Sequence, residues 1–445
     1  MEKNVFSIKT VAKIAVPITL QALLQSSFSV VDEIMIGQMG SNEITGIGLA
    51  GKFASIFSVL IAAVAAVAGI MISQYIGQKE DREVGRSFYL NLTLGLGVAV
   101  LFTVLSSIFA NGIMGIYTKD AIPKGMAVSY LRIVSITFIP IAVNTMLSTF
   151  LRCVEAATLP LVTTIVAAVI NTGLNYVLIG GHFGAPALGV NGAAIATVTA
   201  QVISTVILFA LFLYYKKRKN VRLDFLIRLE GAGRKQYLEM LLPILLNELL
   251  WSIGENVYAA IYGRIGTLDC AAMTLTIPIQ TLMIGAMSGL AQATGIVVGR
   301  TLGEGDEDSA YRQSKKLMLY AFFGAVILSM ILVGLRGVYV NIYNVEASTK
   351  DIAKQILMAF AIISPVKVMN MTLGGGILRS GGKTKYILAI DIIGTWCFGV
   401  PLGFAAAFLW KLSIPYVYFI LSLEECVRLA ISFIAFKRKV WVNKL

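Results

Sequence analysis

The chain has 445 residues, 57% of them hydrophobic and 14% charged, with a formal net charge of +13 and a mean hydropathy of +0.80. That leaves too little polar surface to cover a soluble globule of this size, so the chain is an integral membrane protein. Its apolar runs are long and continuous rather than short and alternating, which excludes a strand barrel and points to membrane-crossing helices.

Twelve such runs follow one another between polar breaks. The first, 14–36, carries Gln21, Gln25 and Asp32, which fall within about 40° of one another on a 3.6-residue wheel and form one polar stripe. Its length and polar content set it apart from the apolar core of a cleaved signal peptide. Runs two to four span 45–76, 87–110 and 126–151. The fifth, 161–179, places Thr164, Asn171 and Asn175 on one face, and the sixth, 190–215, does the same for Thr197 and Gln201. A polar stretch, KKRKNVRLDFLIRLEGAGRK, then reads as an amphipathic connector lying on the membrane surface.

The seventh run, 238–262, holds Asn247, Glu248, Glu255, Tyr258 and Tyr262 within about 100° of one another. Runs eight to ten span 270–298, 317–335 and 352–377. The GGG at Gly374–Gly376 in the tenth permits close helix packing or a bend. Runs eleven and twelve, 386–409 and 414–436, bring buried charge. Glu424 and Arg428, at i and i+4, read as a local ion pair, and Lys367 is expected to meet Asp391.

The chain is duplicated. Windows 17–79 and 243–305 align without a gap at a shift of 226. Pro17 falls on Pro243, and Gly37, Gly40, Gly69 and Gly77 fall on Gly263, Gly266, Gly295 and Gly303. The register resumes, displaced by one, at Leu151-Arg152 and Leu378-Arg379. Six runs per copy return the second copy to its starting side, so the copies are parallel and related by a pseudo-twofold axis along the membrane normal. The expected organisation is a bundle over 1–215, a connector over 216–237 and a second bundle over 238–445. Two such bundles leave a cleft, for which Gln21, Gln25, Asn247, Glu248, Glu255 and Tyr258 are the candidate lining residues.

Basic residues cluster on one set of loops, which places both termini in the cytoplasm of a multi-pass protein of the cell (inner) membrane. The same bias explains the net charge through topology and membrane lipids rather than nucleic acid. Enzyme chemistry finds little support: His182 stands in a short loop, four cysteines are scattered, and no Walker-type loop occurs. No cofactor is expected beyond a coupling ion. A carboxylate among amides and hydroxyls can carry a proton or accept Na+, and Asp32 with Asn171, Asn175 and Thr197 could make such a pocket.

The motifs VVDEIMIGQMGS at 30–41, GQKEDREVGRS at 77–87, FLRCVEAAT at 150–158, LNYVLIGG ending at Gly181 and GVNGAAIAT at 189–197 resemble the multidrug and toxic compound extrusion (MATE) transporters. So do NELLWSIG, YGRIG, VGRTLGEGD and ILRSGGKT in the second half. The resemblance runs through the whole chain in order. It implies twelve helices in two bundles, alternating access, and export of organic, often cationic compounds in exchange for Na+ or H+, and the chain is expected to act as a monomer. By the same resemblance Asp32 matches a first-helix aspartate, Asn171 a fifth-helix asparagine and Thr197 a sixth-helix threonine, the set that could hold Na+. Asn175 stands where one branch has aspartate, Glu248 and Glu255 are alternative candidates for the seventh-helix glutamate of some members, and the tenth-helix aspartate of some members is missing. The alternative, a flippase of lipid-linked precursors from the same superfamily, calls for a strongly cationic cleft and often extra helices.

Overall fold

The computed structural model describes residues 8–37, 41–219, 223, 231–343 and 345–443. Among them all regular structure is helical. In chain order the helices are α1 (Ile8–Gly37), α2 (Ser41–Gln78), α3 (Asp81–Tyr117), α4 (Ala121–Cys153), α5 (Thr158–Gly180) and α6 (Val190–Arg218). The second half supplies α7 (Gly231–Ile265), α8 (Thr267–Gly303), α9 (Glu307–Asn341), α10 (Ala347–Leu378) and α11 (Thr384–Leu409). The last helix, α12, is built from Ile414–Ser422 and Glu424–Lys437. Among the described residues ten helices are long and apolar enough to cross a membrane. With α1 and α12 they make the expected twelve. Most run past the apolar stretches that announce them, because intrahelical hydrogen bonding continues into the polar interface.

Local chemistry sets the irregularities. Pro140 has no N–H to give Ile136, and α4 tightens into a 3-10 turn at Ser135–Thr137 one turn earlier. The first carbonyl of the turn is met by a side chain, Thr103 Oγ1 donating to Ser135 at 3.0 Å. Asp306 caps α9 by accepting from the Ser309 N–H at 3.0 Å, and Gly181, left-handed at φ 71°, ends α5. α10 and α11 widen into π-helical turns at Met371–Leu378 and Ile392–Gly399. Of the three glycines in α10, only Gly376 meets a close neighbour: a Cβ there would press on the Ala291 carbonyl of α8.

Packing forms two compact units. One comprises Leu20–Ile72 and Glu80–Glu230. Its core includes the rings of Phe57 and Phe138, 4.5 Å apart, and a triad of Phe88, Phe150 and Phe212. The other comprises Met1–Thr19, Ser73–Lys79 and Gly231–Leu445. In it α1 lies against α8 at Gly289, where a Cβ would overlap the Ala15 carbonyl, and Thr19 Oγ1 donates to the Ala286 carbonyl at 3.0 Å. The tail is tied down as well: Trp441 is 1% exposed and stacks on Phe436, while Asn443 donates to the Gly381 carbonyl. Large apolar side chains such as Ile108, Phe109, Phe323, Met330 and Val338 are more than half exposed. Such a surface suits hydrocarbon rather than water.

Candidate functional site

In the first unit the structure brings Asn171, Asn175 and Thr197 together. The i, i+4 spacing on α5 lets Asn175 Nδ2 donate to Asn171 Oδ1 at 3.1 Å, and Asn171 Nδ2 donates to Thr197 Oγ1 on α6 at 3.3 Å. Thr197 Oγ1 in turn donates to the Ala193 carbonyl at 3.0 Å. Asn175 is 2% exposed. Amides and hydroxyls of this kind are held in the bundle only when hydrogen-bonded, and here they form a chain between two helices. Asp32 lies on α1, and its side chain is outside the described residues.

Gln21 is drawn into the same bundle. It is 6% exposed, its Nε2 donates to Thr164 Oγ1 at 2.9 Å, and its Oε1 accepts from Arg152 Nη2 at 2.8 Å. Gln25, one turn on, is exposed. The polar stripe of α1 thus divides into an inward and an outward residue.

α7 divides in the same way. Asn247 is buried, and its Oδ1 has no hydrogen-bond donor among the described residues. Glu248 is half-buried and accepts from Arg379 Nη2 at 3.4 Å. Glu255 is exposed, whereas Tyr258 is 5% exposed and donates its hydroxyl to Glu424 Oε2 at 2.5 Å.

Tyr258 opens onto a charged network that sequence reasoning located only in part. Two of its pairings need correction. Arg428 pairs with Glu425, at i+3, and with Asp391 on α11, rather than with Glu424. Lys367 stands 4.0 Å from Glu425 Oε1, rather than on Asp391. The cause is rotation: three residues bring Glu425 and Arg428 about as close as four would, and the face holding Glu424 is taken by α7. Asn370 completes the network by donating to the carbonyl and Oε2 of Glu425, both at 2.7 Å. The adjacent acids at 424 and 425 in an apolar run were the available signal.

His182 is exposed and stacks on Tyr176 with ring centroids 4.0 Å apart, as befits a loop residue. Among the described residues no group of His, Cys, Asp or Glu is spaced to hold a metal ion.

Known proteins bear on this arrangement in three ways. The MatE family model matches residues 17–177 and again 243–405, starting at Pro17 and, 226 residues later, at Pro243, which is the register of the repeat. The uncharacterized transporter YisQ of Bacillus subtilis (strain 168) is 21% identical, covering 96% of this chain and 94% of its own length. The probable multidrug resistance protein YoeA of the same organism is 26% identical over 90% of this chain and 87% of its own length. The probable multidrug resistance protein NorM of Agrobacterium fabrum (strain C58 / ATCC 33970) is 24% identical with the same coverage. A solved structure of MATE in complex with MaL6 superposes with a TM-score of 0.89 at 18% identity, covering 97% of this chain and 96% of that one. An outward-facing multidrug resistance MATE family transporter of the MOP superfamily gives 0.88, also at 18% identity, covering 97% of this chain and 95% of that one. With both halves matched, the chain belongs to the MatE family of membrane transporters.

Proposed function

We propose that the chain is a secondary active antiporter that exports organic, cationic and amphipathic compounds in exchange for H+ or Na+ by alternating access. Family membership supports transport, and the relatives named as multidrug resistance proteins support small-molecule cargo. The observation that carries the coupling is the hydrogen-bonded chain from Asn175 through Asn171 to Thr197. It offers oxygen acceptors and rotatable amides within a bundle, where a carboxylate can change its charge state and a cation can replace a proton.

In this reading Asp32 on α1 is the ionisable member, and Asn171, Asn175 and Thr197 serve it. With Na+, Asp32, Asn171 and Thr197 supply the oxygens. Of the residues read as cleft-lining, Gln25 and Glu255 are exposed and suited to meet substrate. Gln21, Asn247 and Tyr258 act from inside their helices' packed faces. The protein works as a monomer of two bundles, 1–215 and 238–445, in the cell (inner) membrane, with both termini in the cytoplasm.

Asp32→Asn tests the coupling. In proteoliposomes it should lower gradient-driven efflux at least about tenfold, the effect of losing roughly 1.4 kcal/mol of coupling, while expression and melting behaviour stay normal. Unchanged efflux by the variant removes Asp32 from the mechanism.

A further inference from the structure

The unit built on α7–α12 holds a buried ionisable site that the Asp32 pocket leaves unused. α11 widens into a π-helical stretch over Ile392–Gly399, a distortion frequent at functional sites. Two of its glycines make room for charge. A Cβ on Gly394 would overlap the Arg428 side chain, and one on Gly399 would overlap both Glu424 Oε2 and the Tyr258 hydroxyl.

The charges do not balance. Asp391, Glu424 and Glu425 are three carboxyls, whereas Arg428 and Lys367 are two cations. Arg428 pairs with Asp391 and Glu425, and Lys367 faces Glu425. Glu424, 6% exposed, is in no ion pair among the described residues, and what it meets from α7 is the Tyr258 hydroxyl. Tyr262 and Glu255 of α7 and Tyr418 and Cys426 of α12 are further ionisable groups nearby, none of them a cation, and Thr395 of α11 hydrogen-bonds Glu424 beside Tyr258. Arg428 and Lys367 act on Glu424 only from beyond ion-pair distance, their close contacts being given to Asp391 and Glu425, and a buried carboxylate so placed carries a desolvation cost that a bound proton removes.

A second feature points to a ligand. Asn370, 7% exposed, holds Glu425 through Nδ2, but its Oδ1 has no donor among the described residues. An open acceptor beside the carboxyls is where the O–H of an incoming water would be held.

We propose that Glu424 is a proton-carrying group of this unit, taking one proton from water to pass from carboxylate to carboxylic acid and returning it in the other state. Deprotonated Glu424 accepts a charge-assisted bond from Tyr258 that ties α12 to α7. Protonation removes the charge from that bond and weakens the tie. The inference rests on the reading of the chain as an ion-coupled exporter, and it adds a titrating site remote in sequence from Asp32.

Proton uptake by the purified full-length protein in detergent, counted with an indicator dye between about pH 5 and pH 9, tests it. Glu424→Gln keeps the shape and should take up one proton fewer than the parent, whereas Asp32→Asn should retain that proton. Equal uptake by Glu424→Gln and the parent overturns the inference. Should Glu424→Gln fail to fold, Tyr258→Phe decides: it should displace the pH at which this proton binds, and an undisplaced titration overturns the inference. The titration needs no transport. The exporter reading fails separately, if the parent moves no organic cation under an imposed H+ or Na+ gradient.

Discussion

Lys79 and Gly305 occupy the same turn in the two copies, and both have left-handed backbones, φ 61° and φ 79°. Their N–H groups make the same bond, to Ile76 at 3.2 Å and to Leu302 at 2.9 Å. Glu155 and Gly382, at φ 62° and φ 74°, repeat the pattern against Arg152 and Arg379. A side chain costs roughly 1–2 kcal/mol in that conformation, and glycine escapes the clash. Lys79→Gly should therefore stabilise the protein by up to about 1 kcal/mol, part of the relief being offset by a looser unfolded chain. Gly382→Ala should destabilise it by about 1–2 kcal/mol. Thermal melts of the detergent-purified protein check both, and a lower midpoint for Lys79→Gly contradicts the shared geometry. Gln21→Ala should cost about 1–3 kcal/mol, since Thr164 and Arg152 each lose a buried partner. The polar stripe of α1 was legible from spacing, but the direction each residue takes was not. Gln21 and Gln25 differ by about 40° of rotation, and neighbouring helices decide which of them is enclosed.

At the scale of helices, the last glycine pair of the repeat, Gly77 and Gly303, is a contact point, whereas Gly263 has open space around it. A Cβ on Gly77 would overlap the Arg300 carbonyl, and one on Gly303 would overlap the Gln74 carbonyl. Gln74 and Arg300 are themselves 226 residues apart, so the end of α2 and the end of α8 make the same close approach reciprocally. Close backbone approach of this kind is what small residues provide in membrane packing. Gly303→Leu should cost about 1–3 kcal/mol through overpacking, read as a lower melting midpoint and a smaller monodisperse peak on size exclusion. A wild-type midpoint would mean that this close approach can open without loss. Helix number and order were legible because hydrocarbon thickness imposes length and composition. The π turns of α10 and α11 were not, since no propensity distinguishes a five-residue turn from a four-residue one. Nor were the partners of Arg428 and Lys367, which tertiary rotation chooses among several carboxyls within reach.

For the molecule as a whole, duplication, family and charge bias agree on one design. A family model that matches at 17 and at 243 treats the halves as equivalent, yet their polar interiors differ. The first unit holds a chain of amides and a hydroxyl from Asn175 to Thr197, and the second a network of carboxyls, Arg428 and Lys367. Parallel copies of six helices return the chain to its starting face, so cysteines introduced near the two termini should both be protected from an impermeant maleimide in intact cells and both react in inverted vesicles. The most direct test of the central claim is uptake of a fluorescent organic cation into inverted vesicles, with an H+ gradient imposed in one experiment and a Na+ gradient in another. Ion-coupled export predicts uptake that follows one of these gradients, collapses when an ionophore dissipates it, and is lost in Asp32→Asn. Uptake indifferent to both gradients, or driven only by added nucleotide, would contradict it.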